Sequence, residues 1–244
     1  MEALVEELYR LNKYLSDAGV CSRRAADAAI EAGDVMVNGQ PAVMGMKVSA
    51  ADEVLFKGKL VSNVGKKQVL IAYNKPAGIV CTAEKREKNN IVDHLNYPER
   101  IYPIGRLDKD STGLLLLTNQ GDLVNKIMRA VNAHEKEYIV TVDKEITADF
   151  IKQMSAGVYL TELETTTRKC QVTKLGPNKF KIILTQGLNR QIRRMCQELG
   201  YRVRTLKRVR IMNIELGNLK EDTYRDVTPE ELKKLNKMLE GSKN

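Results

Sequence analysis

One short polar segment carries most of the reactive chemistry in this 244-residue chain: Gly105-Arg106-Leu107-Asp108-Lys109-Asp110-Ser111-Thr112-Gly113-Leu114-Leu115. An Arg stands two residues before an Asp, and Ser-Thr-Gly leads into the apolar run Leu114–Leu117. That run has the length of a buried strand and is short for a helix. The segment therefore predicts a loop that holds a carboxylate at the mouth of a packed sheet. Reactive groups are often carried this way, on a loop fixed by a rigid scaffold. An ionised carboxylate in that position can attack an electrophile or stabilise a cationic sugar centre, as in glycosidases. Taken alone, Asp108 is equally a turn former or a cap, and Asp110 has the same claim.

The surrounding pattern supplies the elements that must position this loop. Val69–Tyr73 predicts a buried strand, followed by a turn at Asn74-Lys75-Pro76-Ala77-Gly78. Leu114–Thr118 predicts the strand after the loop, Asn119-Gln120-Gly121 a turn, and Asp122 the cap of a helix ending near Ala130. Lys136–Val142 alternates, with Tyr138, Val140 and Val142 on one face. Lys179–Thr185 predicts another strand. Asn189–Leu199 predicts a helix with two faces: Ile192, Met195, Cys196 and Leu199 buried, and Arg190, Arg193, Arg194 and Gln197 outside, with Gly200 closing it. Cys81–Asn90 is a charged loop, and Thr228-Pro229-Glu230-Glu231 is a capping box that opens a terminal helix. Strands dominate and helices are interspersed irregularly, which predicts an α+β fold rather than a doubly wound one.

The charge is concentrated. The whole chain carries +9, and Leu188–Arg210 alone holds eight basic residues against one acid, while residues 1–62 are slightly acidic. A localised basic patch is the footprint of a polyanion partner, and equally a common solvated surface. Four cysteines without Cys-x-x-Cys spacing and two histidines give little support for a zinc site and predict reduced thiols. No run of 18 apolar residues predicts a membrane span, and Glu2, Glu6 and Glu7 are wrong for a signal peptide, so the expected location is cytoplasmic.

The N-terminal sixty residues form a pattern of their own. Leu8, Leu11, Tyr14 and Leu15 have helical spacing, with Gly19 as a stop. Ser22 predicts the N-cap of a second helix with Ala25, Ala26, Ala29 and Ile30 inward. Val35, Val37 and Asn38-Gly39 predict a hairpin, and Val43, Val48, Val54 and Leu55 continue as short strands. This order resembles the S4 RNA-binding domain. Arg23 and Arg24 sit in the first turn of the second helix, where the helix dipole disfavours cations; a solvated helix start is the plain reading, and phosphate contact is what the resemblance implies.

The string Gly-Arg-Leu-Asp-x-x-Ser/Thr-x-Gly-Leu, placed after the Pro-x-Gly turn and before a strand, resembles the catalytic motif of the pseudouridine synthases. The likeness extends through Asn74-Lys75-Pro76-x-Gly78, Lys136-Glu137-Tyr138, Gln186 to Met195, and Leu206-Lys207-Arg208. It is greatest to the RsuA/RluF-type branch, which modifies ribosomal RNA. Val124–Ala130 and His134–Tyr138 most resemble the F-type large-subunit (23S) enzymes. The resemblance implies an α+β chain with a small S4-like domain at residues 1–62, a linker at 63–67 and a synthase domain at 68–244, built on a mixed, mainly antiparallel sheet with flanking helices. It implies isomerisation of a uridine in RNA to pseudouridine, with no cofactor.

By the same resemblance Asp108 is the nucleophile, Tyr138 stacks on the target base, and Arg193 pairs with Asp108. Arg106 fills the gap left by a flipped base. Lys75, Arg190, Arg194 and Arg208 join Arg23 and Arg24 as RNA contacts. The implied partner is 23S ribosomal RNA, with a transfer RNA open as an additional substrate and a monomer assumed. Two other classes stay open on the residues alone. One is a non-catalytic RNA-binding protein; the other is a glycoside hydrolase, which needs a second carboxylate such as Asp110.

Overall fold

The computed structural model describes residues 7–62, 67–82, 84 and 86–243 and separates into two units. One comprises Met1–Gln68 with Pro98–Arg100, the other Val69–Tyr97 with Ile101–Asn244. Residues 63–66 of the expected linker lie outside the described residues, as do positions 83 and 85 of the charged Cys81–Asn90 loop.

In the first unit, the Ser22 hydroxyl accepts a hydrogen bond from the Ala25 N–H at 3.1 Å and starts helix Arg23–Glu31. Ala26, Ala29 and Ile30 of that helix pack with Leu11 and Leu15 of helix Leu11–Asp17 and with Val35, Val37 and Val54 of a small sheet. Asn38 and Gly39 take φ of 50° and 76°, the two left-handed residues a tight hairpin requires, and join Val35–Val37 to Gln40–Pro41. Two expectations fail here. Leu8 is 58 % exposed and precedes the helix, because Tyr9–Arg10 pairs with Lys47–Val48 instead. Val43 is 61 % exposed and belongs to a turn rather than a strand. Arg23 and Arg24 are exposed.

The second unit is built on a nine-stranded sheet. Its main path runs Gln171–Gly176, Lys179–Leu184, Lys136–Val142, Val203–Ile211, Thr112–Thr118, Leu70–Lys75 and Tyr224–Asp226. Neighbours on the path are antiparallel except Val203–Ile211 beside Thr112–Thr118, which run parallel. The fold is therefore α+β on a mixed, mainly antiparallel sheet, as expected.

Leu70–Lys75 and Leu114–Leu117 are buried at every residue because both sheet faces are covered, and so they read as continuous apolar runs. Leu114 and Leu116 pack on one face with Ile211 and with Leu235 of helix Pro229–Met238. Leu115 and Leu117 pack on the other with Ile71, Tyr73 and Ile91. Lys179–Leu184 alternates, sending Phe180, Ile182 and Leu184 into a further core with Val140, Ile192 and Met195. Each such Leu or Ile contributes about 2 kcal/mol on burial. That core fixes helix Gln191–Glu198, whose other face bears the arginines. The Thr228–Glu231 capping box forms. Asp122 does not cap its helix: Gly121–Met128 begins one residue before it, with Gln120 at the N-cap position. Helix Ala148–Ala156, capped by Thr147, and the long strand Val203–Ile211 are further elements of the unit.

Candidate active site

The Asp108 loop is held by its backbone. The Ile104 N–H donates to the Leu116 carbonyl at 2.7 Å, and the Gly78 N–H to the Lys109 carbonyl at 2.7 Å. The Leu107 N–H meets Cys81 Sγ at 3.4 Å. Lys75 Nζ donates to the carbonyls of Pro76 at 2.8 Å, Ser111 at 2.9 Å and Lys109 at 3.4 Å. Arg208 Nε donates to the Leu114 carbonyl at 2.7 Å, and its Nη1 reaches the Arg106 carbonyl at 3.5 Å.

Two of the residues expected to contact RNA, Lys75 and Arg208, are buried in this arrangement. Lys75 is fully buried, and it ties the Pro76 turn to the Asp108 loop instead of facing solvent. Burial lowers its pKa, and Cys81, Asp110 and Asp108 oppose that shift. Arg208 is 1 % exposed, so it is no surface phosphate contact. Lys75→Met takes the amine donor from the Pro76 and Ser111 carbonyls, while the Lys109 carbonyl keeps the Gly78 N–H, and that loss outweighs the relief of a buried charge. The expected loss is about 2 kcal/mol of stability, read as a lower urea midpoint; an unchanged midpoint contradicts the role.

Asp108, about a third exposed, faces two arginines. Arg190 Nη1 lies 3.5 Å and Arg193 Nε 3.7 Å from its Oδ2. Arg193 also braces the loop, with Nη2 3.1 Å from Asp110 Oδ2 and 3.2 Å from Ser111 Oγ. Arg190 Nη1 stands 3.4 Å from Asp110 Oδ1. The Arg193 side chain is 13 % exposed, and its buried Nε has no hydrogen-bond partner among the described residues; Asp108 is the carboxylate it faces. For Asp110, burial pushes the pKa upward, but Arg193 and Arg190 outweigh it and hold the carboxyl below its ordinary value. Arg190 takes φ of 49° at the N-cap of helix Gln191–Glu198, which brings two arginines and a helix start to one place. All three favour a negative charge there.

A cavity of about 530 Å³ opens beside Asp108 and is lined by Arg106, Lys136, Tyr138, Arg190, Arg193, Leu206 and Arg208. That size suits a small organic group. Arg106 is exposed and Tyr138 half-buried. The site thus gathers Asp108, Arg106, Tyr138, Arg190 and Arg193, as expected from the sequence. It also includes Asp110, the loop's second carboxylate, and Ser111 and Lys136, to which the sequence motifs assign no role. Lys136 was legible in one respect: it stands two residues before Tyr138 on a strand and so shares its face. Burial and the charge of Arg208 lower its pKa to about 8.

The basic patch disperses on folding. Arg190, Arg202, Arg204 and Lys207 are exposed. Arg210 pairs with Glu135 and Glu137, each at 3.0 Å. Arg194 pairs with Glu162 and donates to the Asn189 carbonyl at 3.0 Å and Asn189 Oδ1 at 3.2 Å.

Comparison with known proteins matches two separate stretches of the chain. Residues 69–198 match the RNA pseudouridylate synthase family, and residues 10–54 match the S4 domain. The chain is 55 % identical to the dual-specificity RNA pseudouridine synthase RluF of Salmonella typhi, over 98 % of this chain and 82 % of that protein. It is 34 % identical to the ribosomal large subunit pseudouridine synthase B of Bacillus subtilis (strain 168), over 96 % of this chain and 98 % of that one. Among solved structures, a crystal structure of a pseudouridylate synthase superposes with a TM-score of 0.69 at 28 % identity, covering 93 % of this chain and 99 % of the other.

Proposed function

This chain belongs to the RNA pseudouridine synthase family and isomerises uridine to pseudouridine in RNA, and on that premise we propose that it acts on one uridine of 23S ribosomal RNA with Asp108 as nucleophile. The observation that supports the residue assignment most is the loop carboxylate itself. It is rigidly held, flanked by Arg190 and Arg193, and opens on a cavity walled by Tyr138.

In this reading the target base leaves its helix, because C5 cannot be joined to C1′ while the uracil is stacked and paired. Arg106, exposed at the rim, fills the vacated stack. The Tyr138 ring lies on the uracil face. Arg193 and Arg190 keep Asp108 ionised once RNA excludes water from the cavity. No atom enters or leaves overall, so the reaction needs no cofactor. A second RNA substrate is in keeping with the dual specificity named for the relative from Salmonella typhi, and a transfer RNA is the one we propose. Among the described residues no helix is long and apolar enough to cross a membrane. The proposed setting is the cytoplasm, and the proposed form is a monomer.

The target is tested with transcripts of 23S, 16S and transfer RNA carrying tritium at uridine C5. Tritium release from a 23S fragment and from a transfer RNA is expected. Release from 16S RNA alone contradicts the assignment.

The S4-like unit anchors the RNA through Arg23 and Arg24 in the same reading. The double substitution Arg23→Glu and Arg24→Glu is expected to weaken binding about tenfold at 0.1 M salt. It flattens the dependence of log K on log salt by roughly 1.4 to 1.8, the share of two phosphates. Turnover at saturating RNA is unchanged. An unaltered salt slope removes these residues from the interface.

A further inference from the structure

Among the described residues, two cations on the cavity wall have no carboxylate to balance them. Arg190 and Arg193 are matched by Asp108 and Asp110. Lys136 and Arg208 are 5 % and 1 % exposed, and among the described residues neither forms an ion pair. The only hydrogen bond of Lys136 Nζ recorded among the described residues is to the His134 carbonyl, at 3.1 Å. Arg208 spends Nε and Nη1 on backbone carbonyls, and among the described residues its Nη2 has no partner. Buried charge of one sign is costly unless something neutralises it. A site that keeps two such groups against a cavity is built for an electron-rich ligand.

Their position says which part of the ligand. Arg208 stands directly opposite Tyr138 in the antiparallel pairing of Lys136–Val142 with Val203–Ile211. Lys136 precedes Tyr138 by two residues on the same face. Both cations are therefore neighbours, on the sheet, of the ring proposed to carry the base, and all three line the cavity. A planar group stacked on Tyr138 turns its polar edge toward them.

We propose that Lys136 and Arg208 bind the carbonyl edge of the flipped uracil and stabilise the uracil anion formed when its bond to the sugar breaks. This rests on the reading of Asp108 as nucleophile. An Asp108 oxygen bonds to C1′ as the N1–C1′ bond breaks, and the electron pair of that bond leaves on the uracil, spread over N1, O2 and O4. The negative charge passes from Asp108 to the base, and the cation wall is where it arrives. After rotation, C5 attacks C1′ and returns the electron pair to the carboxylate. The C5 proton is then lost and N1 gains one, so charge and atoms balance. Protonated at neutral pH, Lys136 supplies its charge there.

The test compares uridine with 5-fluorouridine at the target position under single-turnover conditions, with loss of the original nucleoside read by nuclease digestion and chromatography. Fluorine withdraws electrons and steadies the departing anion without help from the wall. Lys136→Met is expected to slow uridine about 100-fold, the scale set by losing one group that stabilises developing charge. The deficit on 5-fluorouridine shrinks to about tenfold or less. RNA binding stays within about twofold, and Lys136→Arg restores most of the uridine rate. Equal deficits on the two nucleosides overturn the proposal and leave Lys136 a structural residue. If Lys136→Met fails to fold by circular dichroism, Lys136→Gln is subject to the same comparison. Failure of the unmodified enzyme to convert uridine defeats the functional reading itself, which separates the two outcomes.

Discussion

Asp108→Asn is expected to remove pseudouridine formation, with a rate loss on the order of 10⁴-fold or more, the scale for deleting a nucleophile. The substitution keeps side-chain volume and takes away the negative charge. The loop does not depend on that charge for its shape, since Lys75, Gly78 and Arg208 hold it through backbone carbonyls. Folding is therefore retained. RNA binding is retained or tightened by up to about threefold, because Arg190 and Arg193 lose a facing carboxylate and become freer for phosphate. Asp110→Asn provides the contrast. Asp110 is half exposed and only braces the two arginines, so its loss is expected to cost about tenfold or less in turnover. Single-turnover conversion and filter binding measure both. Comparable losses for the two variants contradict the distinction between nucleophile and brace.

Gly113→Ala is expected to be strongly disruptive. Gly113 lies in the strand after the loop, at φ of 98°, where side chains are strained. A Cβ there stands 2.2 Å from the Arg208 carbonyl oxygen and 2.9 Å from the Arg208 nitrogen. Both contacts are backbone, so no side chain can swing away. The parallel pairing of Gly113 with Arg208 at the centre of the sheet must open to admit the methyl. A cost of about 4 kcal/mol or more follows from overpacking plus strain. Urea denaturation followed by circular dichroism reads it. A midpoint within error of the parent protein contradicts the close approach. Because the same pairing positions Arg208, any folded fraction is also expected to turn over slowly.

The glycine explains a letter of the loop motif that chemistry does not. Asp108 and Arg106 are proposed to stand in the motif for what their side chains do. Gly113 stands there for what a side chain would prevent, and this contact joins residues 95 positions apart, which local pattern cannot show. Local signals were sufficient elsewhere. Ser22, Asn38-Gly39 and the Thr228 capping box act within a few residues, and each structure they announce is present. The Leu114–Leu117 strand was legible from its unbroken apolar run, which double burial produces.

Val203–Ile211 was not legible as a strand, because its basic residues drew attention to charge and their destinations are set by tertiary structure. Arg208 points inward, Arg210 meets two glutamates, and Arg204 and Lys207 stay in solvent. Lys75 illustrates the same limit. A lysine in a Pro-Gly turn looks exposed until the fold wraps the Ser111 carbonyl around its amine.

The central claim is that one uridine in 23S ribosomal RNA is isomerised through the Asp108 carboxylate. Its most direct test is to map pseudouridines in 23S RNA from cells lacking the gene, with either the parent or the Asp108→Asn protein supplied in trans at equal abundance. One site is expected to be absent without the gene, restored by the parent and not restored by Asp108→Asn. Restoration of that site by Asp108→Asn contradicts it.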